Sequence, residues 1–262
     1  HLEHRRQRQM CIRDSFHGFL GDMMDDYWTH LRGGINWMRL NKKTIKPKGH
    51  ATEVFSRWAI NYITEQSKDT TKPFFLYLAY NAPHFPIQPP EDWLKKVQKR
   101  EPQLDLKRAT NVAFVEHMDH EIGKVLDAVK KLGIAKDTLI TFSSDNGGSI
   151  PHAATNDPWR GGKQEHWEGG IRVPTCAVWP GKIPVSQTDE LGITMDLFPT
   201  FAEIAGIKVE NEIITNIDVK NKIISSLVMA NKEVNQKNID SLKRSSVETL
   251  INNKIKLMEI TK

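Results

Sequence analysis

The chain has 262 residues, 39% of them hydrophobic, and carries a formal net charge of +5. This length and hydrophobic content are typical of a globular protein that buries a sizeable core. Much of the basic excess lies at the two ends of the chain, so the charge gives weak support for a nucleic-acid surface, and no apolar run approaches the roughly 18 residues of a membrane span.

The two cysteines, Cys11 and Cys176, cannot form a disulfide framework and lack the paired spacing of a metal site. No charged-then-apolar signal segment opens the chain. If the mature protein is exported, we expect its signal to lie outside this sequence.

Both ends of the chain differ from its middle. Residues 1–15 show neither periodicity nor turn signals, and we interpret them as an artefactual leader. After Gly206 the sequence has no further Gly, Pro or Trp. Residues 207–262 are therefore an appendage, a flexible tail or a translated non-native frame, and the main domain spans 16–206.

Three helices are predicted from apolar periodicity, while residues 16–48 contain no clear element. The second helix should end at Gly133, a typical stop signal, and the third at Gly206. The first helix has an apolar face formed by Val54, Phe55, Trp58, Ala59, Tyr62 and Ile63. The second spans about 106–132, and its apolar stripe consists of Val112, Val115, Met118, Ile122, Val125, Leu126 and Val129. The third spans about 195–205.

Continuous apolar runs predict three buried strands, at 74–80, around 139–142 and at 175–179. Strands of this kind, separated by long helices, indicate an α/β fold with a mostly parallel sheet sandwiched by helices. Ligands in such folds gather at the carboxyl ends of the strands. His84 follows the first strand, and Asp145 and Asn146 follow the second.

Asp145 and Asn146 offer a carboxylate and an amide oxygen, ligands that suit a hard cation such as Ca²⁺ or Mg²⁺. Calcium takes about six to eight oxygens, so other ligands must come from elsewhere. The alternative is an ordinary Asp-Asn-Gly turn after a strand.

Two basic side chains are candidates for binding an anion. His84 lies between prolines that stiffen its loop, and Lys163 follows Arg160-Gly161-Gly162, where glycines allow a close approach. The alternatives are a packed histidine and a solvated lysine. The glycine spacing is wrong for a P-loop, and Gln164 stands where Ser or Thr is required.

Four blocks in order give the chain a clear family likeness: PFFLYLAYNAPHFPIQPP, VEHMDHEIGKVLDAVKKLGIAKDTLITFSSDNGG, WRGGKQEHWEGGIRVPTCAVWPG and ITMDLFPTFAEIAGI. Over about 16–207 the chain resembles the type I sulfatases, formylglycine-dependent sulfuric ester hydrolases of the alkaline-phosphatase-like superfamily. The resemblance implies an alkaline-phosphatase-like fold, of which this chain holds an incomplete part.

The resemblance also implies roles for individual residues. Asp145 and Asn146 match metal ligands, usually to calcium, while Lys163 and His84 match residues that contact the sulfate or the leaving oxygen. The block from Glu168 to Pro174 is interpreted as structural support, and its Glu168 and Arg172 could pin a turn by an ion pair.

Three features of the family have no match in the sequence. They are the Cys-x-Pro-x-Arg motif whose cysteine becomes formylglycine, two further metal-binding aspartates and a Gly-Lys-x-His element. Cys11 and Cys176 lie in other contexts. We therefore expect the chain to be the C-terminal part of a sulfatase catalytic domain, inactive by itself, with the formylglycine in a missing N-terminal part.

The intact protein is expected to hydrolyse a sulfated small molecule or glycan. A phosphoester hydrolase of the same superfamily and a non-catalytic binder of sulfated glycans are the alternatives. Secreted, periplasmic or lysosomal localisation is expected from the resemblance alone, and a nucleic-acid partner is not expected.

Overall fold

The structure of the chain is a computed structural model that describes residues 15–21, 23–190 and 192–207. The chain divides into two compact units, residues 1–186 and 187–262, which are described separately. Cys11, nearly all of the predicted leader and residues 208–262 lie outside the described residues, so the interpretations of these segments stay predictions.

Five short strands occupy the region that the sequence left unassigned. They are β1 (His17–Phe19), β2 (Leu31–Arg32), β3 (Ile35–Asn36), β4 (Met38–Leu40) and β5 (Lys43–Thr44). All pairings are antiparallel, in a three-stranded sheet of order β1-β4-β5 and a separate hairpin of β2 and β3. The turn of that hairpin uses Gly33 and Gly34 at positive φ, which glycine adopts without steric cost.

Three helices follow: α1 (Ala51–Gln66), α2 (Glu91–Arg100) and α3 (Leu106–Lys131). α1 and α3 match the predicted positions. The Asp105 side chain caps α3 by accepting the Arg108 N–H at 3.0 Å, and Gly133, at a φ of 74°, ends it as the stop signal predicted.

The largest core cluster joins the N-terminal segment to α1 and α3. Tyr27 and Phe114 are its largest fully buried side chains, with their rings packed edge to face at 4.9 Å. Its buried members are Met24, Tyr27, Met38, Ala51, Val54, Phe55, Ala82 and Phe114. A second, smaller cluster packs α2 on α3 through Val97, Ala109 and Ala113.

The predicted apolar stripe of α3 differs from the face that is buried. Val115 and Leu126 are exposed, whereas Asn111, His117 and Glu121 are buried. Apolar periodicity predicts only apolar residues in the interior. It therefore missed a helix face whose buried polar groups contact other loops and helices.

Two further strands are β6 (Ile140–Ser143) and β7 (Thr175–Val178). They confirm the positions of two predicted strands, but they are not buried as predicted. They pair antiparallel, with Phe142 opposite Cys176, and Phe142 is 38% exposed. Among the described residues every strand pairing is antiparallel, so this part of the chain does not itself form the expected parallel sheet. The two paired strands β6 and β7 cannot by themselves bury the apolar side chains on their two faces.

The predicted strand at 74–80 is not a strand within the described part of the chain. Its residues alternate between half-buried and exposed: Leu78 and Tyr80 pack on the main core, and Tyr77 is 72% exposed. The segment thus has apolar side chains on both sides, but only the side with Leu78 and Tyr80 packs against the main core. No described strand supplies the hydrogen bonds of a ladder.

In the second unit, a 3₁₀ turn at Thr194–Asp196 leads into α5 (Leu197–Ile204), and Gly206 follows at a φ of 70°. This confirms the predicted third helix. The short helix α4 (Glu168–Ile171) belongs to the first unit. Among the described helices, none has the length and apolar character needed to span a membrane.

Candidate functional site

The loop that carries Asp145 and Asn146 leaves the end of β6 and runs alongside the segment before β7. The Ser144 N–H donates to the Pro174 carbonyl at 3.4 Å, and the Gly147 N–H donates to the Gly170 carbonyl at 2.9 Å. These bonds continue the β6–β7 contact past the end of the strands. The loop is therefore held on both sides of the Asp145-Asn146 pair.

Glycines allow three backbone segments to approach each other closely around this loop. A Cβ on Gly147 would lie 1.8 Å from the Gly169 oxygen, and one on Gly170 would lie 2.1 Å from the Glu165 oxygen. No side chain fits at such distances. The repeated Gly-Gly pairs of the sequence thus serve backbone-to-backbone packing at the site.

Asn156 links the Asp145-Asn146 loop to the Lys163 loop. Its amide nitrogen donates to the carbonyls of Gly148 and Gly161, both at 3.0 Å, and its amide oxygen accepts the Gly148 N–H at 2.7 Å. The Lys163 N–H donates directly to the Gly148 carbonyl at 3.1 Å. The two predicted site loops therefore form one hydrogen-bonded unit.

The Glu168–Pro174 block reinforces this unit. Arg172 forms an ion pair with Glu168 at 3.4 Å, as the sequence suggested, and its guanidinium lies 4.1 Å from the centre of the Trp159 ring. Arg160 stacks on Trp167 in the same way at 3.7 Å. These two cation–π contacts connect the start of the Lys163 loop to the segment after it.

The His84 loop reaches the same group of loops through Phe85. The Phe85 ring lies 4.8 Å from the His152 ring, in the loop that follows Gly148. The hydroxyl of buried Tyr27, whose pKa is raised by burial, donates to the His84 carbonyl at 3.1 Å. His84 Nδ1 lies 2.8 Å from the Phe85 carbonyl.

Helix α3 holds the loop after Gly148 from the other side. Asn111 donates to the His152 carbonyl at 3.2 Å, and Arg108 donates to the Ala153 carbonyl at 2.8 Å. The buried face of α3 thus supports the loops directly. This explains why Asn111, a polar residue, is only 6% exposed.

Three side chains of this unit have polar groups of the kinds that bind a cation or an anion. Neither the Asp145 carboxylate nor the Asn146 amide has a hydrogen bond or ion pair to any described residue, and both present oxygens of the kind that hard cations bind. Lys163 is half-buried and likewise has no acidic partner within the described ranges. The donor set fits a divalent cation but supplies only two of its ligands.

Taken together, these contacts join the Asp145-Asn146 loop, the Lys163 loop and the Glu168–Pro174 block into one unit, which the His84 loop touches through Phe85. A family model described as Sulfatase matches residues 1–207. The chain belongs to the sulfatase family.

Similarity to individual proteins agrees with this assignment. The chain is 37% identical to a sulfatase of Formosa agariphila over 64% of its own length and 32% of the relative's. It is 34% identical to the N-acetylgalactosamine-6-sulfatase of Mus musculus, over 68% and 33%. It is 35% identical to the human steryl-sulfatase, over 58% and 26%. The chain thus spans about a third of the length of these relatives or less.

Solved structures extend the likeness to the fold. A crystal structure of Ps i-CgsB in complex with k-i-k-neocarrahexaose matches 75% of this chain and 46% of its own, with a TM-score of 0.68 and 34% identity. The putative sulfatase yidJ from Bacteroides fragilis matches with a TM-score of 0.54 and 20% identity over 72% and 45%. These neighbours confirm the predicted alkaline-phosphatase-like α/β fold, present here in part.

Sequence reasoning missed the residues that hold the site together. Asn156 lies in no recognisable sequence motif, and its role depends on three hydrogen bonds to the backbone of Gly148 and Gly161. It also missed Glu53, His117 and Glu121, which could hold a metal ion together on α1 and α3. The i, i+4 spacing of His117 and Glu121 was a usable signal, but their partner lies far away in the sequence.

Proposed function

We propose that the intact protein hydrolyses sulfate esters, and that this chain supplies one part of the active site. The observation that carries the proposal is the hydrogen-bonded unit joining the Asp145-Asn146 loop to the Lys163 loop. Membership of the sulfatase family supports the reaction class. Because the chain covers about a third of its relatives, the activity is proposed for the whole protein.

Asp145 and Asn146 are proposed as two oxygen ligands of a divalent cation, Ca²⁺ or alternatively Mg²⁺. Such an ion, when bound, neutralises negative charge on the sulfate oxygens. Lys163 and His84 are proposed to contact the same group, adding positive charge and hydrogen-bond donors where charge develops. Asn156 and the glycine contacts hold the two loops in register for this task.

The formylglycine nucleophile that the family resemblance implies has no matching residue in this chain. Cys176 lies in β7, is exposed, and is followed by Ala-Val-Trp rather than by the required motif. We therefore assign no step to it, and we propose that the described chain is inactive without the remainder of the site.

A sulfated carbohydrate is the substrate class that we propose. The solved neighbour with 34% identity was crystallised with k-i-k-neocarrahexaose, and two relatives with high similarity are N-acetylgalactosamine-6-sulfatases. The human steryl-sulfatase is also a relative, so sulfated steroids are the comparison to test.

Sulfate release by the intact gene product tests the proposal. We expect turnover of a sulfated oligosaccharide and an aryl sulfate, and a fall in kcat/KM of roughly 10²-fold or more in Lys163→Ala and Asp145→Ala. Lys136→Ala and Asp127→Ala, which remove the same charges from exposed positions, should keep the rate.

Three results would overturn parts of the proposal. Faster hydrolysis of phosphate esters than of sulfate esters would favour the phosphoester hydrolase. Salt-sensitive binding of a sulfated polysaccharide without hydrolysis would indicate a non-catalytic relative. Turnover of an aryl sulfate by the purified 262-residue chain would show that no further part of the site is needed.

A further inference from the structure

Three potential metal ligands meet between α1 and α3, on elements that hold none of the proposed sulfate-binding residues. Glu53 comes from the first turn of α1, and His117 and Glu121 come from α3. One ligand atom of each lies within 4.8 Å of the others. His117 and Glu121 are spaced i, i+4, which places them on one side of the helix.

His117 is the unusual member of this cluster. It is 1% exposed, and neither of its ring nitrogens has a hydrogen-bond partner in the described structure. Its Nε2 lies 3.4 Å from a Glu53 carboxylate oxygen. An imidazole buried without hydrogen bonds is costly, because at least one ring N–H and one lone pair have lost water.

A neutral imidazole offers a lone pair and is the form that binds metals. Glu121 is 3% exposed. Buried carboxylates are normally paired or bound to a metal.

The charges around the cluster are nearly balanced without an ion. Lys124 forms an ion pair with Glu121, and Arg57 lines the adjoining cleft of about 270 Å³ together with Glu53 and Ile60. The Lys124 side chain is 49% exposed, so it can turn to solvent and free Glu121. The cleft gives water access to the carboxylates of Glu53 and Glu121, which both line it.

We propose that Glu53, His117 and Glu121 bind one divalent transition-metal ion, with Zn²⁺ as the best match, and that the ion clamps α1 to α3. One imidazole nitrogen and two carboxylate oxygens are suitable ligands for Zn²⁺, whereas Ca²⁺ takes oxygen ligands. Three protein ligands leave a fourth position for water from the cleft.

The proposed ion would also compensate for the missing hydrogen bonds of the buried His117 ring. Coordination through one nitrogen would give His117 a partner and would replace the Lys124 ammonium on Glu121. Because Glu53 lies on α1 and the other two ligands lie on α3, binding should stabilise the folded chain over the unfolded one.

Titration of the metal-free full chain with Co²⁺ and Zn²⁺ tests this site. We expect one equivalent of Co²⁺ to give the visible absorption of a low-coordinate site, and Zn²⁺ to displace it and to raise the melting temperature. His117→Gln and Glu121→Gln should weaken binding by more than the roughly 10- to 100-fold that the loss of a residue hydrogen-bonded to a metal ligand typically costs, because each variant removes a ligand itself. Glu65→Gln, at an exposed position of α1, is the matched control and should bind as the wild type does.

Two further variants make the test specific. Lys124→Gln removes the competing ammonium and should tighten Zn²⁺ binding, an effect opposite to that of the ligand variants. Glu53→Gln changes a side chain that is 40% exposed, so it keeps the test valid if His117→Gln fails to fold. Asp145→Asn should leave the affinity unchanged.

Equal Zn²⁺ binding by the wild type, His117→Gln and Glu53→Gln would overturn the proposal, since it would indicate adventitious binding by other histidines. The absence of any saturable one-to-one binding would overturn it as well. Failure of the site would leave the proposed sulfate hydrolysis untouched, because the two proposals share no residues.

Discussion

Gly147 has no room for a side chain, although its backbone conformation would accept one. Its own N–H donates to the Gly170 carbonyl, and an added Cβ would lie 1.8 Å from the Gly169 oxygen. The glycine is required here by the approach of another backbone segment. Gly123, in the interior of α3, has no atom within 4 Å of an added Cβ.

The two glycines therefore predict opposite effects of the same substitution. Gly147→Ala should lower the free energy of unfolding by about 1–3 kcal/mol, since the backbone segments must move apart. Gly123→Ala should raise it by about 0.5–1 kcal/mol, because alanine reduces the entropy lost on helix formation. Urea unfolding of the purified chain measures both, and equal effects would contradict the packing described at Gly147.

At the scale of elements, the site depends on loops that are fixed by neighbouring elements. β6 and β7 position the start of the Asp145-Asn146 loop, α3 holds the loop after Gly148, and Asn156 joins this unit to the Lys163 loop. Each contact is a hydrogen bond to a backbone group, and such bonds fix the path of the loop backbone. A residue that touches no substrate can therefore control the geometry.

Asn156→Asp tests this dependence with an almost unchanged shape. The substitution replaces the donating amide nitrogen with an oxygen that faces the carbonyls of Gly148 and Gly161. We expect a loss of about 1–3 kcal/mol in stability and a fall of roughly tenfold or more in the intact enzyme's kcat/KM. Thr155→Ala, at the adjacent exposed position, should affect neither measurement strongly.

The sequence predicted helices better than strands for a physical reason. α1 and α3 follow from local periodicity, and Asp105 and Gly133 mark the ends of α3 through contacts within a few residues. A strand, by contrast, needs a partner from elsewhere in the chain. The segment 74–80 has strand composition but no described partner, so the prediction failed there.

For the whole molecule, buried histidines predict a dependence of stability on pH. His30 is 2% exposed, with its Nε2 3.0 Å from the Gly49 carbonyl. Burial lowers the pKa of His30, although the Gly49 carbonyl and the charge of Asp26 act in the opposite direction. The unfolded chain therefore takes up a proton near pH 6.5 that the folded chain takes up only at lower pH.

It follows that the stability from neutral His30 is fully present above about pH 6.5 and is lost as the pH falls below this value. Urea unfolding at about pH 7.5 and about pH 5.5 should show lower stability at the acidic pH. His30→Asn, chosen because asparagine tolerates the φ of 60° at this position, should reduce the difference. The exposed His166→Asn variant should retain it. An unchanged difference in His30→Asn would exclude His30 as a cause.

The sequence alone determined the family and the positions of α1, α3 and α5, and it predicted the four site candidates His84, Asp145, Asn146 and Lys163, but it did not predict α2 or α4. These depend on signals that are local in the chain: periodicity, turn residues and short motifs. Only the tertiary structure decided the antiparallel pairing of β6 and β7, the glycine contacts around Gly147 and the meeting of Glu53 with His117. Those features depend on distances between residues far apart in sequence, which local preferences do not encode.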